Sequence, residues 1–196
     1  MPTRGKAPLI LASASPRRQE LLRSAGIHFE VIPSQAEEAF LAGEIAEEHV
    51  LRLAPAKARE VAERERGRWV LAADTVVEVQ GKILGKPRDP AEAEMMLTRL
   101  SGREHRVITG FCLRQFGATA GRESRVTTRV TFKDLSPEEI CWYIKTGEPF
   151  DKAGAYAIQG NAAFMVREIN GSYTNVVGLP LCEVVEALQA MELMAS

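Results

Sequence analysis

Six consecutive residues, Ser13-Ala14-Ser15-Pro16-Arg17-Arg18, put two hydroxyls and two guanidinium groups at what reads as the start of a helix. Ser15 takes the N-cap and Pro16 the first helical position, where a missing N–H costs nothing. Both arginines then fall in the first turn, where the positive end of the helix dipole disfavours cations. A local rule broken at a well-formed boundary often marks a functional site. An anion resolves it: backbone N–H groups, hydroxyls and guanidinium forks converge on a phosphate. A solvated basic turn is the plainer alternative.

Asp74 is the second signal. It interrupts Val70-Leu71-Ala72-Ala73-Asp74-Thr75-Val76-Val77, a run that otherwise calls for full burial. A buried carboxylate must be paired, hydrogen-bonded, protonated or bound to metal. Either backbone N–H groups and hydroxyls satisfy it at a strand end, or it is held at a cleft to bind a divalent cation or take a proton from water. Lys57, Lys86 and the pair Glu37-Glu38 each read alone as solvated charge. Together with Arg17 and Arg18 they supply what a triphosphate site needs: cations for phosphate charge, and carboxylates for metal and water. Gln159, within Asp151-Lys152-Ala153-Gly154-Ala155-Tyr156-Ala157-Ile158-Gln159-Gly160, offers paired donor and acceptor contacts to the edge of a base. The same stretch also reads as a glycine-rich loop anchored by a buried tyrosine. Ser172 and Asn175 are explained equally by ligand binding and by turn chemistry.

The elements that must position these residues are regularly punctuated. Strands are expected over Leu9 to Ala12, Phe29 to Ile32 and Trp69 to Val79, the last turning at Gly81-Lys82 into a hairpin. An acidic stretch from Gln35 to Glu48 leads into a helical pattern through Val50, Leu51 and Leu53. Pro55 predicts a kink or a fresh start, with Ala56 to Arg66 as a second segment. Ala91 to Leu100 reads as helix, and Arg106 to Gln115 and Arg125 to Phe132 as strands. Ser136-Pro137-Glu138-Glu139 is a capping-box helix start, and Gly147 ends that helix. Ala163 to Ile169 is expected as strand, and Pro180 to open an amphipathic helix. Alternation with intruding hairpins predicts an α/β fold: a mixed twisted sheet with flanking helices.

A chain of 196 residues fits one large domain or two lobes sharing a core, and 45% hydrophobic with 26% charged residues is ordinary for a soluble globular protein. A net charge of −1 argues against a dedicated DNA binder. Three widely spaced cysteines without a CxxC pair indicate neither zinc cluster nor disulfide frame. No apolar run approaches membrane-spanning length, and no signal-like core follows the N-terminal basic residues, so a cytoplasmic protein is expected.

These motifs, taken in order, resemble the Maf family of nucleoside triphosphate pyrophosphatases over nearly the whole chain. The matching segments are Leu11 to Arg18, Ala73-Asp74-Thr75, Gly85-Lys86-Pro87, Ser101-Gly102, Glu148 to Gly154 and Asn175 to Pro180. The Asp-Lys-Ala-Gly-Ala-Tyr and Ile-Gln-Gly forms are similar to the branch acting on dTTP and UTP rather than 7-methyl-GTP. The resemblance implies a single Maf-like domain over 1–196, with two lobes sharing the sheet around a nucleotide cleft. It implies Asp74 as general base, Arg17, Thr75 and Gln159 in substrate choice, and phosphate or metal roles for Ser13, Arg18, Glu38, Lys57 and Lys86. It also implies Mg²⁺ or Mn²⁺ held by Glu38 and Asp74, and a homodimer. The chain departs from many members at Gln35-Ala36-Glu37-Glu38, where they are Asp-rich, and the sequence does not choose between Glu37 and Glu38 as metal ligand. Pro55, close before Lys57, and Ala162-Ala163, in place of a glycine pair, are further departures.

The implied reaction is hydrolysis between the α and β phosphates of a pyrimidine nucleoside triphosphate, giving monophosphate and pyrophosphate. Modified nucleotides are also candidate substrates. Two other readings stay open: a nucleotide-binding regulator without significant turnover, and a DNA-associated protein using Ser-Pro-Arg-Arg in a minor groove. The carboxylates argue against the first and the near-neutral charge against the second.

Overall fold

A computed structural model describes residues 8–118 and 121–194. Strands are hydrogen-bonded in the order β2-β1-β3-β5-β6-β7, with β4 paired to β3. The chain divides into two compact units. The first holds Met1–Asp74, Thr109–Val126 and Gly178–Ser196, and the second Thr75–Ile108 and Thr127–Val177.

In the first unit, β1 (Leu9–Leu11) lies parallel to both β2 (Phe29–Val31) and β3 (Trp69–Val79). Leu9 stands opposite Phe29, and Ile10 opposite Val70. Parallel neighbours need a crossover. Helix α1 (Pro16–Ser24) lies between β1 and β2, and α2 (Ala46–Arg64) between β2 and β3. The buried side of α2 carries Ala46, His49, Val50, Leu53, Ala54, Lys57, Ala58, Val61 and Ala62, the three- and four-residue spacing of one helical stripe. Ala54, Ala58 and Ala62 join Ile10, Ala12, Val70, Ala72 and Cys112 in one apolar cluster. The approach is tight at Gly110 of β5 (Glu104–Gln115), where a Cβ would stand 2.5 Å from the Val50 carbonyl oxygen.

Of the kink or fresh start expected at Pro55, the fresh start does not occur; α2 is one helix that runs past it. A proline inside a helix costs about 3 kcal/mol. Burial of Val50, Leu53 and Val61, at about 1.5–3 kcal/mol for each full side chain, outweighs it. Helix α6 (Leu181–Ala190) follows Pro180 as expected.

The second unit opens with the far end of β3, which turns through Gln80 and Gly81 into antiparallel β4 (Lys82–Leu84). Both turn residues have positive φ, 52° and 73°, as a two-residue hairpin of matching twist requires. Asp89 caps α3 (Pro90–Leu100) by accepting the Glu92 N–H at 2.8 Å. Ser136 and Glu139 form the expected capping box at α4 (Pro137–Lys145), with bonds of 3.3 and 3.0 Å. Strand β6 (Arg122–Phe132) pairs antiparallel with β7 (Val166–Asn170).

Two sequence expectations in this unit change: the hairpin turn falls at Gln80-Gly81 rather than Gly81-Lys82, because Lys82 pairs with Val79 in the ladder, and one strand is shorter. The strand placed over Ala163 to Ile169 begins only at Val166; Gly160–Met165 is 3₁₀-helical. That geometry eclipses residues three apart, and it buries both Ala162 and Met165. The segment after Gly171 forms a short helix, α5 (Tyr173–Val177). The buried Asn175 amide donates to the Val107 carbonyl and Thr128 Oγ1, each at 3.0 Å, and the Ser172 hydroxyl accepts the Asn175 N–H at 3.2 Å. Turn and helix chemistry therefore occupies both side chains. Tyr156 is buried as the anchor of its loop and bonds His105 Nε2 at 2.7 Å. Among the described residues, no helix is long and apolar enough to cross a membrane.

Candidate active site

Helix α1 starts where the sequence places it, with Ser15 at the N-cap and Pro16 first, but the Ser15 side chain makes no capping bond. Ser13 organises the turn instead. Its hydroxyl accepts the Ser15 N–H at 3.3 Å and Arg18 Nη1 at 3.1 Å. Arg18 folds back across the sheet end: Nη1 donates to the Ala73 carbonyl at 2.8 Å, and Nε to the Gly178 carbonyl at 2.7 Å. Part of the dipole conflict is thus resolved by protein carbonyls. Burial lowers the Arg18 pKa, while the Asp74 and Glu38 carboxylates oppose that shift and Arg17 adds to it. Arg17 is half-buried in the same turn.

Asp74 ends the first unit's stretch of β3, only 7% exposed. Lys57, 6% exposed, donates from Nζ to Asp74 Oδ1 at 2.7 Å and lies 2.6 Å from Glu38 Oε1. The structure thus brings together Arg18, Glu38, Lys57 and Asp74. Glu38, rather than Glu37, is the acid on Lys57.

Four residues that sequence reasoning passed over, Phe40, Glu44, His49 and Arg52, complete the surroundings. His49 is 2% exposed; its Nε2 lies 3.6 Å from Asp74 Oδ2 and its Nδ1 2.9 Å from Glu44 Oε2. Arg52 grips Glu44 from Nε at 2.5 Å and from Nη2 at 2.8 Å. That bond, with a smaller one from His49, holds the Glu44 pKa down at about 2 against the effect of desolvation. Phe40 stacks on the His49 ring, centroids 4.1 Å apart and planes 18° from parallel. One signal was available: positions 49 and 57 fall on the apolar stripe of α2, where a polar side chain requires a partner.

Thr75, Lys86 and Gln159 belong to the second unit. Thr75 follows Asp74 on β3 and is half-buried; Lys86 is exposed after β4; Gln159 is half-buried just before the 3₁₀ segment.

Among the described residues, no group of three or more His, Cys, Asp or Glu side chains could hold a metal unaided. Glu38 and Asp74 nevertheless converge on one cation, the Lys57 ammonium. Two hard carboxylate donors aimed at one point fit Mg²⁺, which takes one or two protein carboxylates and completes its shell with water and phosphate oxygens.

A dTTP/UTP pyrophosphatase of Geotalea uraniireducens is 58% identical over 186 residues, 95% of this chain and 96% of the relative. One of Myxococcus xanthus is 55% identical over 184 residues, covering 92% of this chain and 91% of that protein. A solved HAM1 protein from Coxiella burnetii shares the fold, with a TM-score of 0.50 and 16% identity over 94% of this chain and all of that one. The family model described as Maf-like protein matches residues 8–191, and the chain belongs to the Maf family.

Proposed function

We propose that this chain is a nucleoside triphosphate pyrophosphatase, cleaving dTTP and UTP between the α and β phosphates to the monophosphate and pyrophosphate. The observation that carries the reading is the buried Asp74 carboxylate, held by Lys57 beside Glu38 and Arg18, in a chain 58% identical to a dTTP/UTP pyrophosphatase.

Asp74 accepts the proton of the attacking water. Lys57 holds Oδ1 at 2.7 Å, so Oδ2, the less tightly held oxygen with His49 Nε2 at 3.6 Å, is the one that takes it. Arg17, Arg18, Lys57 and Lys86 stabilise charge that builds on the phosphate oxygens. Ser13 keeps the Arg18 guanidinium in place. Glu38 and Asp74 hold the divalent cation, Mg²⁺ or Mn²⁺, which when bound supplies further neutralisation of phosphate charge. Thr75 and Gln159 select the base, because a site built to hydrogen-bond one base leaves groups unpaired with another. Those two residues and Lys86 enter through the family resemblance, as do a homodimer and a cytoplasmic location. A sensor without turnover gains little from carboxylates beside phosphate, which disfavours a purely regulatory role.

The test is pyrophosphate release from a panel of canonical and modified triphosphates with Mg²⁺ or Mn²⁺. The highest kcat/KM is expected for dTTP and UTP, and Gln159→Ala should change the ratio of dTTP to GTP. No release from any pyrimidine triphosphate overturns the reading.

A further inference from the structure

We infer that His49, oriented by Glu44, is a positioning residue for Asp74; the inference rests on the functional reading above. Asp74 faces two side chains of one helix, one at each oxygen. Lys57 meets Oδ1 at 2.7 Å, and His49 Nε2 approaches Oδ2 at 3.6 Å, within ion-pair range. One partner would leave the carboxylate free to turn about its broad terminal torsion. Two fix its plane, and so fix where Oδ2 meets a water.

The imidazole is itself held at Nδ1 and on one ring face. The Glu44 carboxyl, with its pKa at about 2, is ionised near neutral pH and only accepts. The 2.9 Å bond is therefore donated by Nδ1–H and turns the Nε2 edge of the ring toward Asp74, where an ion pair takes a proton on Nε2 as well. Phe40 covers the ring face, and Arg52 fixes Glu44 while also donating to the Ala39 carbonyl at 2.9 Å. Residues 38–44, which bring Glu38 to Lys57, are thereby tied to α2.

A merely structural histidine would use Nδ1 and the ring face to fasten this loop. Positioning of Asp74 uses Nε2. The two roles separate by isosteres, since an asparagine amide nitrogen stands near the place of Nδ1 and a glutamine amide nitrogen near that of Nε2. His49→Phe keeps the stack on Phe40 and removes both nitrogens.

The experiment measures dTTP turnover, thermal melting, and calorimetric binding of α,β-imido-dTTP for wild type, His49→Gln, His49→Asn and His49→Phe. His49→Asn and His49→Phe should lose about 10- to 100-fold in kcat, the usual range for residues that orient a working group. KM and the affinity for the analogue should stay within about twofold, the pattern of an interaction realised in the transition state. His49→Gln should stay within about threefold of the wild-type kcat. Should His49→Asn fail to fold by melting, His49→Phe provides the same comparison with His49→Gln. Full kcat in His49→Phe, or equal rates in the asparagine and glutamine variants, overturns the positioning role while the function stands. No turnover by the wild type overturns the function and this inference with it.

Discussion

The Lys57 ammonium lies 2.7 Å from Asp74 Oδ1, with both side chains nearly buried. The pair is a consequence of packing: small residues on α2 and Gly110 on β5 let the helix lie close to the strands. Removing one partner strands the other charge out of water. Lys57→Met should destabilise the fold by about 3–5 kcal/mol, the cost of breaking a buried pair. Asp74→Asn on top of it should recover most of that loss. Urea midpoints of the two variants check this, and equal midpoints would show that the ammonium does not compensate Asp74.

Asp74→Asn alone keeps the volume of the side chain and its place on β3, and removes its basicity. Turnover should fall by about 10²- to 10⁴-fold, the range for a lost general base. Binding of a non-hydrolysable triphosphate should persist. Pyrophosphate release and calorimetry together read the split, and full turnover would take Asp74 out of the chemistry.

What the sequence made legible was what local chemistry decides. The hairpin after β3, though not the exact place of its turn, the Ser136–Glu139 box and the Pro16 helix start depend on residues within a few positions. Asp74 stood out because one carboxylate broke a long apolar run. Lys57 did not, because the stripe that buries it is visible only if α2 continues through Pro55. A fresh start there loses the register linking His49, Leu53 and Lys57. Glu44 lay hidden in an acidic lead-in, since nothing local says that Arg52 and His49 fold onto it. The two arginines predicted an anion, but their neighbourhood gave no hint that Arg18 would spend donors on carbonyls 55 and 160 positions away.

Acid should weaken the fold in a definite window through Glu44. Its folded pKa is depressed from 4.5 to about 2, chiefly by the hydrogen bond from Arg52. A carboxyl with a lowered folded pKa binds fewer protons folded than unfolded, so its contribution is full above its unfolded value and fades as pH falls toward the folded one. The stability difference between wild type and Glu44→Gln should hold above about pH 4.5 and shrink steadily toward pH 2. Urea titrations at pH 6, 4 and 3, all at one salt concentration of about 0.1 M so that screening stays constant, measure it. A difference that does not change with pH would remove Glu44 from the acid response.

Arg18 separates charge from shape. Its Nε and Nη1 reach Gly178, Ala73 and Ser13, three acceptors that a single ammonium cannot meet at once. Arg18→Lys keeps the positive charge near Asp74 and Glu38 but withdraws donors from the buried Ala73 and Gly178 carbonyls. Each acceptor left short costs about 1–3 kcal/mol, so the variant should melt earlier than wild type and lose turnover as the Ser13 turn loosens. If the guanidinium acted only through its charge, the lysine protein would keep both melting temperature and kcat. Thermal melting alongside pyrophosphate release separates these outcomes, and the prediction is that both fall.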